Sequence, residues 1–241
     1  RALTHAIDYE RIINAVLGDQ GRPLDGYTVP GQVGYLELPY EYDPEGAGEL
    51  LSEAGYERND DGIFENQDGE ELSFEIMTGD KMARELELFE AMSSELREFG
   101  MAVEIDLIEG SQIYPEIFRY RSYVEEGREE EMDFGVITRD AGARTGEVNV
   151  VLDGHYMTDG HRNAGGYDNP EIDENLEIAV SAAPQEERVE AYHRVQELIH
   201  EDLPAIHLWQ PSWTIAVSDR IEGYGLHPAA VWYYEDIQIA E

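Results

Sequence analysis

The chain has 241 residues, 41% hydrophobic and 29% charged, with 15 Tyr, 6 Phe and 3 Trp. That is enough apolar surface for one large or two modest packed domains and excludes a disordered chain. Fifty-four acidic residues against 16 basic ones give a net charge of −38, which argues against nucleic acid as a partner, because phosphate binding needs clustered cations.

Lys81 is the sole lysine and there is no cysteine, so disulfides and thiolate chemistry are absent. A charge this large repels itself and weakens the compact state at low salt. The Debye length falls from ~10 Å at 0.1 M salt to ~3 Å at 1 M, so brine screens most of that repulsion. An acidic, lysine-poor chain with its acids spread throughout reads as halophilic. No signal peptide or membrane-length apolar run is present. The opening Arg1-Ala-Leu lacks Met and already lies in a helical pattern, so a fragment of a longer protein is expected.

Residues 1–18 carry a helical stripe of Leu3, Ala6, Ile7, Ile13, Val16 and Leu17 closed by Gly18, with Asp8 placed to cap a helix from Tyr9. Residues 20–42 are rich in Gly, Pro and Tyr without periodicity and read as an ordered, irregular surface segment. Asp43-Pro44 starts a helix with Ala47, Leu50, Leu51 and Ala54 inward, and Gly55 stops it. Asn59-Asp60-Asp61-Gly62 and Gln67-Asp68-Gly69 are turn chemistry around a hairpin, without the spacing of a calcium loop.

The pattern then alternates. Leu72, Phe74 and Ile76 form a strand. Residues 81–99 form a helix, ended by Gly100. Met101, Val103, Ile105 and Leu107 form a second strand, Ile113, Ile117, Tyr120 and Val124 mark a second helix, and Phe134 to Ile137 form a third strand. A β-α-β-α-β order predicts an α/β fold with a parallel sheet. Asn169-Pro170 starts a helix bearing Ile172, Leu176 and Ala179, and another spans residues 185–202, with Pro204 as a stop. Ala205–Trp209, Trp213–Val217 and Val231–Ile239 read as aromatic-rich strands, so the best boundary falls after Pro204.

In open α/β sheets ligands bind beyond the carboxyl ends of the strands. Thr78-Gly79, Glu109-Gly110-Ser111 and Thr138-Arg139-Asp140 should line that edge. Asp140 is the leading candidate, because a carboxylate there holds a ligand ammonium by a charge-assisted hydrogen bond. Its competing use is to cap the following turn. Arg139 and Arg144 suit a ligand carboxylate, although in so acidic a chain each is more often the partner of an internal acid.

Asp153, His155, Asp159 and His161 are metal-ligand types. Their spacing fits no specific motif, and the segment reads as a polar loop. No metal or cofactor is expected. His193 and His200 share a helix face and read as packing and surface. Trp209, Trp213, Trp232, Tyr233 and Tyr234 form an aromatic excess that suits either a core or a face for a missing domain. There is no nucleophile elbow, phosphate-cradling glycine loop or zinc-protease helix. The enzyme alternative is a hydrolytic or metal-dependent α/β protein using Asp140 with His155 or His161. A third reading is an acidic interaction domain without a concave edge.

Several segments together resemble one family. Arg1-Ala-Leu-Thr-His-Ala-Ile-Asp-Tyr-Glu-Arg, Tyr42-Asp43-Pro44-Glu45 with Leu50-Leu51-Ser52-Glu53-Ala54-Gly55-Tyr56, Gly166-Tyr167-Asp168-Asn169-Pro170-Glu171-Ile172-Asp173, and Glu201-Asp202-Leu203-Pro204-Ala205-Ile206-His207-Leu208 are similar, in order, to segments of the peptide/nickel solute-binding proteins of ABC importers (solute-binding family 5). The resemblance implies a type II periplasmic-binding-protein-like lobe, with a largely parallel sheet flanked by helices. Residues 1–204 would be the C-terminal ligand-binding lobe. Residues 205–241 would cross the hinge and join the missing N-terminal lobe.

It also implies a receptor outside the membrane, tethered to the cell surface, that captures peptides or similar solutes and delivers them to a membrane permease. Peptide-binding members carry W-x-x-D at a strand end, where the Asp holds the ligand's α-amino group. Here the stretch is Ile137-Thr138-Arg139-Asp140, so the Asp is kept and Ile137 replaces the stacking aromatic. Arg144 and the loop from Asn163 to Tyr167 would shape the pocket. Nickel and haem ligands are not indicated.

Overall fold

The computed structural model describes residues 1–79, 84–128, 136–138, 148–163, 165–181, 183–212, 215–227, 231–233 and 236–239. Helices α1 (Ala2–Ala6) and α2 (Tyr9–Leu17) open the chain. Asp8 caps α2 by accepting the Arg11 N–H at 3.0 Å, one of the orphan donors of a helix start. A short 3₁₀ turn leads into β1 (Gly21–Pro23). Helix α3 (Pro44–Glu53) begins as its Asp-Pro start predicts, with the Asp43 carboxylate accepting the Gly46 N–H at 3.0 Å. Strands β2 (Glu57–Arg58) and β3 (Phe64–Glu65) form the hairpin. Its turns are held by side chains: Asn59 Oδ1 accepts from Asp61 and Ile63, and Asn66 Oδ1 from Asp68 and Glu70.

The α/β alternation is present. Strand β4 (Ser73–Gly79) pairs in parallel with β5 (Ala102–Ile108), from Ser73↔Ala102 to Gly79↔Ile108. It pairs on its other side, also in parallel, with β6 (Val136–Ile137). Among the described residues the sheet order is therefore β5-β4-β6. The connections run through α4 (Glu85–Phe99) and α5 (Ile113–Glu126). Gly100 ends α4 at φ +99°, a conformation other residues adopt only with strain.

A first core joins Ile13, Leu51, Leu88, Met92 and Leu96 to Ile76 and Val103 of the sheet. A second gathers around α6 (Asn149–Tyr156), α7 (Pro170–Val180) and α8 (Gln185–Asp202), through Leu152, Ile172, Leu176, Tyr192, Val195 and Ile199. No helix of the described residues is long and apolar enough to cross a membrane.

The structure corrects three expectations. Residues 20–42 are irregular but not superficial: Tyr27 is 2% exposed and belongs to the second core. Gln196 of α8 holds this segment by accepting from Thr28 Oγ1 at 3.2 Å and donating to the Gly34 carbonyl at 2.7 Å. Gly34, at φ +88°, lies so close that a Cβ would come within 2.7 Å of Tyr192 Cδ2.

Second, Asp153 and His155 lie on helix α6, not in a loop. Burial of Val151, Leu152 and Tyr156 overrides the weak helical preference of a segment containing Gly154. Third, residues 215–217 are not strand. The tail instead has β7 (Trp209–Pro211), β8 (Ile221–Glu222), β9 (Gly225–His227), β10 (Val231–Tyr233) and β11 (Gln238–Ile239). Strand β7 pairs antiparallel with β1, and Trp209 sets its ring edge-on to Phe89 at 5.9 Å. Lys81, Phe134, Trp213 and Tyr234 lie outside the described residues.

Candidate functional site

The carboxyl edge of the sheet is built from the ends of β4 and β6 and the turn after β5. Thr78 is fully buried. A buried hydroxyl carries a desolvation cost unless bonded, and here Thr138 Oγ1 donates to Thr78 Oγ1 at 2.8 Å. The Thr138 N–H donates to the Met77 carbonyl at 2.9 Å, extending the β4–β6 ladder by one bond. Ile137 pairs with Met77 through the backbone.

On the other side the chain leaving β5 crosses the end of β4. A Cβ on Gly79 would lie 3.0 Å from both Gly110 Cα and Ile113 Cγ1, so glycine lets the two segments cross without crowding. The turn beyond is self-capped, with Ser111 Oγ donating to Glu109 Oε1 at 2.7 Å. Ile113, Ile117 and Tyr120 anchor α5. The structure thus brings Thr78, Gly79, Gly110 and Thr138 to one edge. Arg139, Asp140 and Arg144 lie outside the described residues.

Asn163 and Tyr167 sit elsewhere, where the loop before α7 meets α5 and α8. Asn163 is 5% exposed. Its Nδ2 donates to the carbonyls of Met157 and Tyr167 at 3.1 and 2.6 Å, and its Oδ1 accepts the Tyr167 N–H at 3.0 Å. The amide is thereby committed to its own loop. Gly166, at φ +64°, packs on Val124 of α5, and an Arg121 guanidinium nitrogen donates to the Gly160 carbonyl at 2.8 Å. Tyr167 Oη donates to Asp202. Burial, and then the neighbouring Asp202 carboxylate, pushes this phenol up to about 12.

The histidines of the enzyme alternative are placed as follows. His155 is 6% exposed, and its Nδ1–H donates to the Val151 carbonyl at 2.7 Å, within α6. His161 lies against Gly154, with its Cε1 3.0 Å from where a Cβ would stand. Burial pushes the Asp153 carboxyl up to about 6. Among the described residues no group of three His, Asp or Glu is arranged to hold a metal.

A polar aromatic cluster escaped the sequence reading. The Tyr156 hydroxyl meets His207 Nε2 at 2.5 Å, and the His207 N–H donates to the Tyr40 hydroxyl at 3.0 Å. The Tyr40 ring stacks on His200 at 5.6 Å, and Tyr27 lies edge-on to His207 at 4.7 Å. Burial drives Tyr27 far above its ordinary pKa and lowers that of His200. The cluster ties residues 20–42, α6 and α8 to the segment after Pro204. The Tyr and His content alone signalled it, and their separation along the chain hid it.

Residues 1–161 match the sequence model of the bacterial extracellular solute-binding proteins, family 5, middle region. The oligopeptide-binding protein AppA of Bacillus subtilis is 26% identical over 235 residues, spanning 95% of this chain and 41% of that protein. The glutathione-binding protein GsiB of Pectobacterium atrosepticum is 23% identical over 248 residues, spanning 100% of this chain and 44% of that protein. Among solved structures, AppA from Bacillus subtilis in complex with a nonapeptide superposes with a TM-score of 0.77 at 24% identity. That superposition covers 100% of this chain and 47% of that one. NikZ from Campylobacter jejuni in complex with Ni(L-His) gives 0.70 at 23% identity, covering 87% of this chain and 41% of that one. These likenesses carry the same α/β, periplasmic-binding-protein-like fold. The chain spans less than half the length of the curated relatives it matches.

Proposed function

The chain belongs to the bacterial extracellular solute-binding proteins of family 5, and from that premise we propose that it is the ligand-binding part of an ABC-importer receptor. The receptor captures peptides or similar small solutes outside the membrane and delivers them to a permease. Its work is capture, not catalysis. The observation that carries this reading is the parallel β5-β4-β6 sheet, in which Thr78, near the end of β4, bonds Thr138, just past the end of β6, at the edge where open α/β sheets bind ligands.

In this reading Asp140, two residues beyond Thr138, holds the cationic amine of the ligand. Arg139, Arg144, Thr138 and Ile137 complete the contacts. Asn163 and Tyr167 act by shaping the loop over α5, consistent with an amide wholly engaged there. Residues 1–204 form the lobe, and residues 205–241 run on toward a second lobe of the same parent protein. The anchoring of Trp209 on Phe89 and of β7 on β1 supports a crossing that starts from a fixed base. Closure of the two lobes traps the ligand and presents the closed form to the permease. A peptide is the favoured ligand, given the match to the oligopeptide-binding AppA. The receptor sits outside the membrane, tethered to the cell surface, in a saline environment.

The test is a thermal-shift panel on the full-length protein in about 2 M salt, where charge repulsion is screened. The panel holds di- and oligopeptides, sugars and divalent metals. Upward shifts with peptides support the reading. Shifts with metals alone overturn it in favour of the loop carrying His161.

A further inference from the structure

We infer that Thr78 is a positioning residue of the ligand edge: its buried hydroxyl, bonded to Thr138, fixes the point at which the chain leaves β6. The inference rests on the proposal that the residues following β6 bind the ligand.

The last four residues of β4 are all buried. In such a place a β-branched apolar residue serves a strand as well and carries no polar cost. Threonine there implies that its hydroxyl is used. Gly79, the final residue of β4, has no side chain, and a Cβ there would sit tightly against Gly110 and Ile113 at 3.0 Å. Thr78 is therefore the last residue of β4 able to reach sideways to β6. On the described part of β6 the ladder consists of the pairs Ile76↔Val136 and Met77↔Ile137 and the Thr138 N–H to the Met77 carbonyl. Strand ends fray readily. The 2.8 Å bond between the two hydroxyls is the side-chain link at that end, 60 residues apart in sequence. It holds Thr138 in place from the fully buried side.

Preorganisation of this kind affects affinity through the fraction of time the binding segment is correctly placed. Thr78→Val keeps the shape of the side chain and removes only the hydroxyl, while Thr78→Ser keeps the hydroxyl. Both variants are made in the full-length protein in about 2 M KCl. Two quantities are read: amide hydrogen exchange, and the Kd for tri-alanine. In Thr78→Val the Thr138 amide should exchange about tenfold faster, while the amides of α8 keep their wild-type rates. The Kd should rise about tenfold, the equivalent of one hydrogen bond of ordinary strength. Thr78→Ser should restore both. Thr138→Val should reproduce the faster exchange of the residue 138 amide, and the double variant should exchange no faster than either single one.

Unchanged exchange at Thr138 in Thr78→Val overturns the inference. So does faster exchange of α8 and Thr138 alike, since Thr78 would then be an ordinary core residue. If exchange changes locally but wild-type protein binds no tri-alanine, Thr78 does fix the β6 exit and the tripeptide reading of the ligand fails instead.

Discussion

The Tyr167 hydroxyl donates to Asp202 Oδ2 at 2.5 Å, and Asn169 Nδ2 donates to the same carboxylate oxygen at 3.1 Å. Asp202 is the last residue of α8, where the helix dipole disfavours an anion. Its place there follows from these two bonds, which join the turn before α7 to the end of α8. Asn169 serves α7 at the same time, accepting from Glu171 and Ile172 as N-cap. One small cluster therefore sets the α7–α8 geometry, the most extensive helix pairing in the second core.

Tyr167→Phe keeps the ring against Tyr156 and removes the hydroxyl. It leaves the Asp202 carboxylate short of one donor at a helix end. The expected cost is about 1–2 kcal/mol, read by calorimetry as a Tm lower by about 2–8 °C. An unchanged Tm would mean that the bond contributes nothing to the junction.

Asp153 gives a pH signature of the opposite kind. Its half-buried carboxyl is raised from 3.8 to about 6, by burial, with a hydrogen bond to Asn149 pulling the other way. The folded chain thus holds the proton more tightly than the unfolded chain. The penalty for the ionised form is full above pH ~6 and is relieved as pH falls toward 3.8. The shift corresponds to about 3 kcal/mol at most. Partial exposure discounts it to about 1–1.5 kcal/mol. Asp153→Asn should raise Tm at pH 8 by about 2–6 °C, with the gain gone near pH 4. A gain independent of pH would assign the effect to packing instead.

The charge of −38 makes a third prediction. Tm should rise steadily from about 0.1 M to about 2 M KCl, because screening removes self-repulsion. Sucrose at matched osmolality should give a smaller rise. A Tm that ignores salt would remove the halophilic reading.

How much of this was legible depends on the kind of signal. The sheet was, because apolar residues alternate with acidic ones in both strands, Phe74 and Ile76 about Glu75 in β4 and Val103, Ile105 and Leu107 about Glu104 and Asp106 in β5, and because α4 carries Phe89, Met92 and Leu96 at helical spacing. The starts of α2, α3 and α7 were, because Asp8, Asp43 and Asn169 are local caps. Helix α6 was not: it is eight residues long, contains Gly154 and gains its stability from partners elsewhere in the chain. The burial of Tyr27 was hidden in an aperiodic segment whose neighbour Thr28 meets Gln196 across 168 residues. At the candidate edge the sequence placed Thr78, Gly79 and Thr138 together. It could not show that the two threonines bond, nor that the Asn163 amide is spent on its own loop, since both are pairings in space.

In the proposed receptor the Asp140 carboxylate, beyond β6, holds a ligand amine. Calorimetric titration of the full-length protein and its Asp140→Ala variant, in about 2 M KCl, tests this. The titrants are a peptide with a free amino terminus and the same peptide N-acetylated. Acetylation and the substitution should each weaken binding at least tenfold, about 1.4 kcal/mol, and the two losses should not add. Equal affinity for both peptides, or full additivity of the two losses, would contradict it.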